Sequence, residues 1–196
     1  MFFLIFFVLI AILSSEMGKI RKPDKVCLIS AICCTEQSVY ENALSRLISE
    51  FGEIAIVSDV FSFQHTEYYA KEMGTMLKKQ FIVFKSFIIP DRLPEIKYKS
   101  NAIENEFKIQ NHRTVNIDPG YIETPKLVLA TTKNYSHRIY IQNGIYGDIE
   151  LYWRDGRFNP CPWTYPDYQE ESSLLFFTKI RQKYIELIKK GKEFWE

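Results

Sequence analysis

The chain has 196 residues and carries 25 Lys and Arg against 24 Asp and Glu, a formal net charge of +1 at pH 7. That balance makes no global electrostatic case for nucleic acid or an acidic membrane as a partner. At 46% hydrophobic and 15% aromatic, with 15 Phe and 12 Tyr, it has the material for one sizeable core dominated by ring area.

The chain opens on MFFLIFFVLIAILSSE, where Phe2 to Leu13 is an unbroken apolar run. As a helix it would reach about 18 Å, short of the roughly 30 Å hydrocarbon layer. No basic residue precedes it, as a secretory signal would require, and the cluster Lys19, Arg21, Lys22, Lys25 follows it. The reading that fits best is an extension from an upstream start codon, with Met17 as the natural start. A weak anchor or a signal peptide remains as an alternative. Residues 17–196 are then expected to form a single globular domain, soluble and cytoplasmic, without stable membrane association. Cys27, Cys33, Cys34 and Cys161 form no CxxC pair, so neither a disulfide framework nor a metal site is indicated, and reduced thiols are expected.

From Lys25 strand and helix signals alternate. KVCLISAIC reads as a buried strand, EQSVYENALSRLISEFG as an amphipathic helix stopped by Gly52, and EIAIVSDV as a second strand. HTEYYAKEMG reads as a short helix, KKQFIVFKSFI as a third strand, and PDRLPEIKYKSNAIENEFK as a helix on Leu93, Ile96, Ile103 and Phe107. RTVNID makes a fourth strand, with Pro119-Gly120 as its terminating turn. The order predicts an α+β fold with a ferredoxin-like βαββαβ core and helices on one sheet face. KLVLATTK is ambiguous between strand and helix. Asn143-Gly144 between alternating runs predicts a tight hairpin, and Asp155-Gly156 a second turn. PCPWTYPDY is an aromatic loop, and ESSLLFFTKIRQKYIELIKK a closing helix on Leu174, Phe177, Tyr184 and Leu187.

TEYYAKEMG, NIDPGYI, KLVLATTKNYSHRIYI, NGIY and PWTYPDY together resemble the bacterial and archaeal family known as domain of unknown function 4416. The resemblance runs from about Met17 to the closing helix and implies a start at Met17. The family has no established activity, so it supplies landmarks and no mechanism. A GTP-binding role, attached to some members, finds no support in these residues. There is no GxxxxGK[ST] to cradle phosphates, no Asn-Lys-x-Asp and no GxGxxG.

Two polar stretches are the candidate site. In NIDPGY, Asn116 and Asp118 stand at alternate strand positions and project from one face, one to orient a ligand and the other to act as a base or a metal ligand. A purely structural reading has Asp118 capping the Pro-Gly turn. In KNYSHR, Lys133 and Arg138 could clamp a phosphate or carboxylate, and His137 supplies an imidazole, the side chain whose reference pKa suits proton transfer. A strand starting at His137 would turn it and Arg138 to opposite faces, which counts against a joint site. The aromatic stretches add Tyr165 and Asp167, although Tyr68, Tyr69, Trp163, Tyr165 and Tyr168 suit a core equally well. His65 and His112 read as surface residues.

The expectation is that Asn116, Asp118, Lys133, His137 and Arg138 converge with Tyr165 and Asp167 at one end of the sheet. They would bind a small anionic ligand such as a nucleotide or other phosphate compound. His137 or Asp118 is the expected base, should a phosphoester be hydrolysed or transferred. No metal ligand set is expected, and no cofactor is identified. An RNA-binding module, or a structural or protein-interaction domain, is the alternative, although the RNP-type run is absent.

Overall fold

The computed structural model describes residues 20–63, 73–74 and 76–195. The expected helix HTEYYAKEMG, with His65, Tyr68, Tyr69 and Glu72, lies almost wholly outside the described residues. In chain order the elements are β1 (Val26–Cys34), α1 (Gln37–Phe51), β2 (Ile54–Val57), β3 (Phe61–Ser62) and β4 (Lys78–Ile88). A 3-10 turn (Pro90–Arg92) leads into α2 (Leu93–Glu106), then β5 (Val115–Ile122) and β6 (Lys126–Thr131). β7 (Ile139–Gln142), β8 (Ile145–Arg154), β9 (Arg157–Pro160), α3 (Pro166–Gln169) and α4 (Glu171–Lys189) complete the chain.

The fold is α+β, built on one open antiparallel sheet in the order β2-β4-β1-β5-β6-β8-β7, with β3 beside β4 and β9 beside β8. β1 is buried at every position, so both of its faces need cover. α1 and α2 cover one, setting Ala43, Leu47, Ile96 and Ile103 on Leu28, Ile32, Ile82 and Ile117. The closing helix α4, which lies outside the βαββαβ stretch, covers the other. It lays Phe177, Ile180, Tyr184 and Leu187 over Ile29, Phe81, Val83 and Leu129. Phe81 is the hub of that layer, its ring 4.9 Å from Tyr168 and 4.8 Å from Phe177. A sheet covered on both sides produces long apolar runs without alternation, as β1 displays.

KLVLAT resolves as strand β6, paired with β5 on one side and β8 on the other. Asn143 and Gly144 take φ of 52° and 74° and join β7 to β8 in a two-residue loop. Asp155 and Gly156, at 53° and 76°, do the same for β8 and β9.

Pro119-Gly120 departs from expectation, since it ends nothing: β5 runs through both residues to Ile122. Ile117 points its N–H and C=O away from β1, and by alternation so does Pro119, whose ring offers no N–H to β6. Pairing with β6 begins only at Gly120, opposite Leu129. A Cβ on Gly120 would stand 2.4 Å from the Val128 carbonyl oxygen, so glycine alone permits the close approach. The dipeptide therefore marks where β5 and β6 part company. Gly120→Ala should cost about 1–3 kcal/mol of stability through that overlap. The denaturant midpoint measures it, and an unshifted midpoint would show that β6 can step aside freely.

Candidate functional site

N-terminal to Gly120, β5 has β1 on one side and no strand on the other, and there α2 supplies what β6 does not. Glu104 Oε1 accepts the Ile117 N–H at 2.6 Å, and Lys97 Nζ donates to the Ile117 carbonyl at 3.0 Å. Lys97 and Glu104 are seven residues apart, hence on the same side of the helix two turns apart, and both are buried. The gap between the strands is a cavity of about 310 Å³, lined by these two side chains together with Asn116, Asp118, Lys133 and Tyr165 among others. Its remaining charged lining is Lys108 and Arg113.

Asp118 is held from two sides. Lys97 Nζ donates to its Oδ1 at 3.3 Å, and Asn116 Nδ2 to its Oδ2 at 2.6 Å. Burial would raise its carboxyl, but the ammonium groups of Lys97 and Lys79 and the Asn116 amide hold it below the ordinary value. Glu104 goes the other way. Burial raises it, against the opposing pull of Lys97 and the Ile117 N–H.

Four of the seven residues singled out in the sequence line this cavity: Asn116, Asp118, Lys133 and Tyr165. Arg138 stands behind it and holds two of them in place. Its Nε donates to Asp148 Oδ2 at 2.7 Å, its Nη1 to the Lys133 carbonyl at 3.1 Å, and its Nη2 to Tyr165 Oη at 3.2 Å. The guanidinium also lies 4.5 Å from the Tyr135 ring centroid. Burial pushes the Tyr165 hydroxyl up to about 12, so it keeps its proton and can donate while accepting from Arg138.

His137 is stacked on Trp163 at 4.8 Å between centroids, with Nε2 3.6 Å from Asp148 Oδ1. It does not line the cavity. Strand parity does not separate it from Arg138, since β7 starts only at Ile139 and both residues address Asp148 from the preceding turn. Asp167 is turned into the sheet, where its Oδ2 meets Lys79 Nζ at 2.6 Å in a fully enclosed ion pair. That lysine lies over the ring of Tyr168, which fills the core beside it.

Between these groups sits Glu150, fully buried, with Oε2 accepting the Tyr165 N–H at 3.0 Å. Burial first, then the neighbouring Asp148, pushes its carboxyl up to about 8. It is thus protonated at neutral pH, where a second negative charge beside Asp148 would be costly. Among the described residues no group of three or more His, Cys, Asp or Glu side chains could hold a metal ion.

A family model for a domain of unknown function (DUF4416) matches residues 24–184. The chain belongs to the DUF4416 family. No curated protein and no solved structure matches it. In this DUF4416 chain the matched span takes in every lining residue of the cavity and the whole sheet.

Sequence reasoning missed Lys97, Glu104, Lys108 and Arg113. A signal was available for the first two: Lys97, Ser100 and Glu104 fall on the same side of α2 as Ile96 and Ile103, interrupting an apolar stripe with polar groups. Charged side chains on a buried stripe need partners, and here the partner is a peptide group.

Lys97→Met keeps the length of the side chain but leaves the Ile117 carbonyl without its donor, and should cost about 1–3 kcal/mol in chemical unfolding. An unchanged midpoint would mean that the lysine does not hold the strand. The Glu150 carboxyl keeps its proton in the folded state far above the pH at which an unfolded glutamate ionises. Stability should therefore fall as pH rises from about 5 towards 8, by at most about 1.4 kcal/mol per unit, and level off beyond. Glu150→Gln should flatten that slope and gain on the parent at the alkaline end. Parallel slopes for the two proteins would show Glu150 to be ionised throughout.

Proposed function

We propose that the cavity between β5 and β6 binds a small anionic ligand, a nucleotide or another phosphate compound. The observation that carries this reading is the lining: four basic side chains, Lys97, Lys108, Arg113 and Lys133, against two acidic ones, in a gap the sheet itself leaves open. Hydrogen bonds from such cations to phosphate oxygens are charge-assisted and about twice as strong as neutral ones. For phosphoester hydrolysis or transfer, Asp118 is the candidate base, being a cavity-lining carboxyl that Lys97, Lys79 and Asn116 hold below its ordinary value. His137 connects with the cavity only through Asp148, Arg138 and Tyr165, which favours a supporting role.

The unit β1-α1-β2-β4-α2-β5 we read as a ferredoxin-like core. The strand order β2-β4-β1-β5, with α1 and α2 on one face, supports it. The compartment we read as the cytoplasm, supported by four cysteines that are buried and unbridged. Among the described residues no helix is long and apolar enough to cross a membrane.

RNA binding is the second reading, favoured by the ring cluster Tyr135, His137 and Trp163 next to Arg138, where unpaired bases could stack. Thermal unfolding in the presence of nucleotides, sugar phosphates and short RNA separates the two. A mononucleotide at about 100 times its Kd should stabilise the fold by about 2.7 kcal/mol, and Lys133→Ala should reduce the shift. Stabilisation by RNA alone, falling steeply with salt, would put the second reading first. No response to any phosphate compound would end the first.

A further inference from the structure

The lining of the cavity changes character with depth. Asn116, Glu104 and Lys97, only 5, 6 and 7% exposed, form its floor together with Asp118. Lys108, Thr132 and Lys133 are exposed at its mouth, with Arg113 half-buried beside them. The cation of the floor is already committed, since Lys97 bonds the Ile117 carbonyl and Asp118. The floor therefore presents acceptors. An ionised carboxylate offers about four lone-pair sites, and Asp118 spends one on Lys97 and one on Asn116. Glu104 Oε1 accepts from Ile117, while its Oε2 lies 3.9 Å from Arg113. The Asn116 amide keeps one N–H after donating to Asp118, and the Tyr165 hydroxyl lines the same space.

A phosphate driven to this floor would face two carboxyl groups, and like charges in a desolvated site are strongly unfavourable. A hydroxyl group suffers no such penalty, because it donates to the carboxylate and accepts from the amide. At the mouth the preference reverses, since the basic side chains suit phosphate oxygens. The volume of about 310 Å³ lies at the small end of ligand pockets, which suits a compact molecule over a large cofactor.

We infer that the ligand is a phosphorylated polyhydroxy compound, a sugar phosphate or the ribose phosphate part of a nucleotide. Its hydroxyls sit on Asp118, Asn116 and Glu104, and its phosphate lies at Lys108, Arg113 and Lys133. The inference rests on the reading of the cavity as an anion site and adds to it an orientation and a requirement for hydroxyl groups.

Calorimetric titration of the full chain with inorganic phosphate, methyl phosphate, ribose 5-phosphate, 2-deoxyribose 5-phosphate and adenosine monophosphate tests it. Ribose 5-phosphate should bind at least about tenfold tighter than methyl phosphate, since its hydroxyls bond a charged acceptor. The deoxy sugar should fall between the two. Adenosine monophosphate tighter than ribose 5-phosphate assigns the site to a nucleotide, and equal affinity assigns it to a sugar phosphate. Asp118→Asn should narrow the ratio between ribose 5-phosphate and methyl phosphate, and the comparison among ligands on the parent chain stands even if that variant folds poorly. Methyl or inorganic phosphate binding as tightly as ribose 5-phosphate would overturn the inference and leave the anion site standing. Binding of none of them would overturn both.

Discussion

The peptide group of Ile117, gripped on one side by Glu104 and on the other by Lys97, is the contact on which the site depends. A strand inside a sheet normally satisfies its N–H and C=O through its neighbours, and a buried peptide without partners is costly. Where β6 swings away, two side chains from α2 take over that duty. The strand can therefore stay extended, with Asn116 and Asp118 presented side by side, although one of its flanks has no ladder. The charges that do this are buried, and each steadies the other: the Lys97 ammonium opposes the rise that burial imposes on Glu104. The same ammonium reaches on to Asp118, so the prop for the backbone is also part of the cavity lining.

The opposite wall is built on the same principle with different parts. Arg138 spreads its guanidinium over Asp148, the Lys133 carbonyl and the Tyr165 hydroxyl, tying a turn, a strand and the aromatic loop together. Glu150 holds the Tyr165 backbone from below, and Thr164 bonds the Glu150 carbonyl. Both walls thus carry their lining residues on enclosed, hydrogen-bonded charges, so a ligand would meet side chains already oriented and lose less entropy on binding.

How much of this could be read from the sequence depended on how local the cause was. The Asn143-Gly144 turn was legible because positive φ at both residues is a property of the dipeptide itself. The shared face of Asn116 and Asp118 was legible from strand alternation, and their hydrogen bond follows from it. Pro119-Gly120 misled because the same dipeptide serves a turn or a strand edge, and the choice lies with β6, which is nearby only in the fold. The cover of α4 on the second face was hidden because an apolar strand does not say which helix packs where. Lys97 and Glu104 were passed over because their partner is a main-chain group on another element, which leaves no complementary residue to find. Asp167 read as a site acid because its counterion, Lys79, comes from β4, far away in sequence.

The spacing of Lys97 and Glu104 has a bearing on how such a chain can change over time. One residue inserted between them would turn everything beyond it by about 100° around the helix axis, carrying Glu104 off the strand while Lys97 stayed in place. The length of that stretch is therefore less free to vary than its composition, and α2 has a further tether in Tyr98, whose hydroxyl donates to the Asn143 carbonyl at the tip of the β7–β8 hairpin. Divergence in this part of the molecule has to proceed by exchange of side chains, with positions 97 and 104 altering as a pair, because either one alone strands half of a buried peptide.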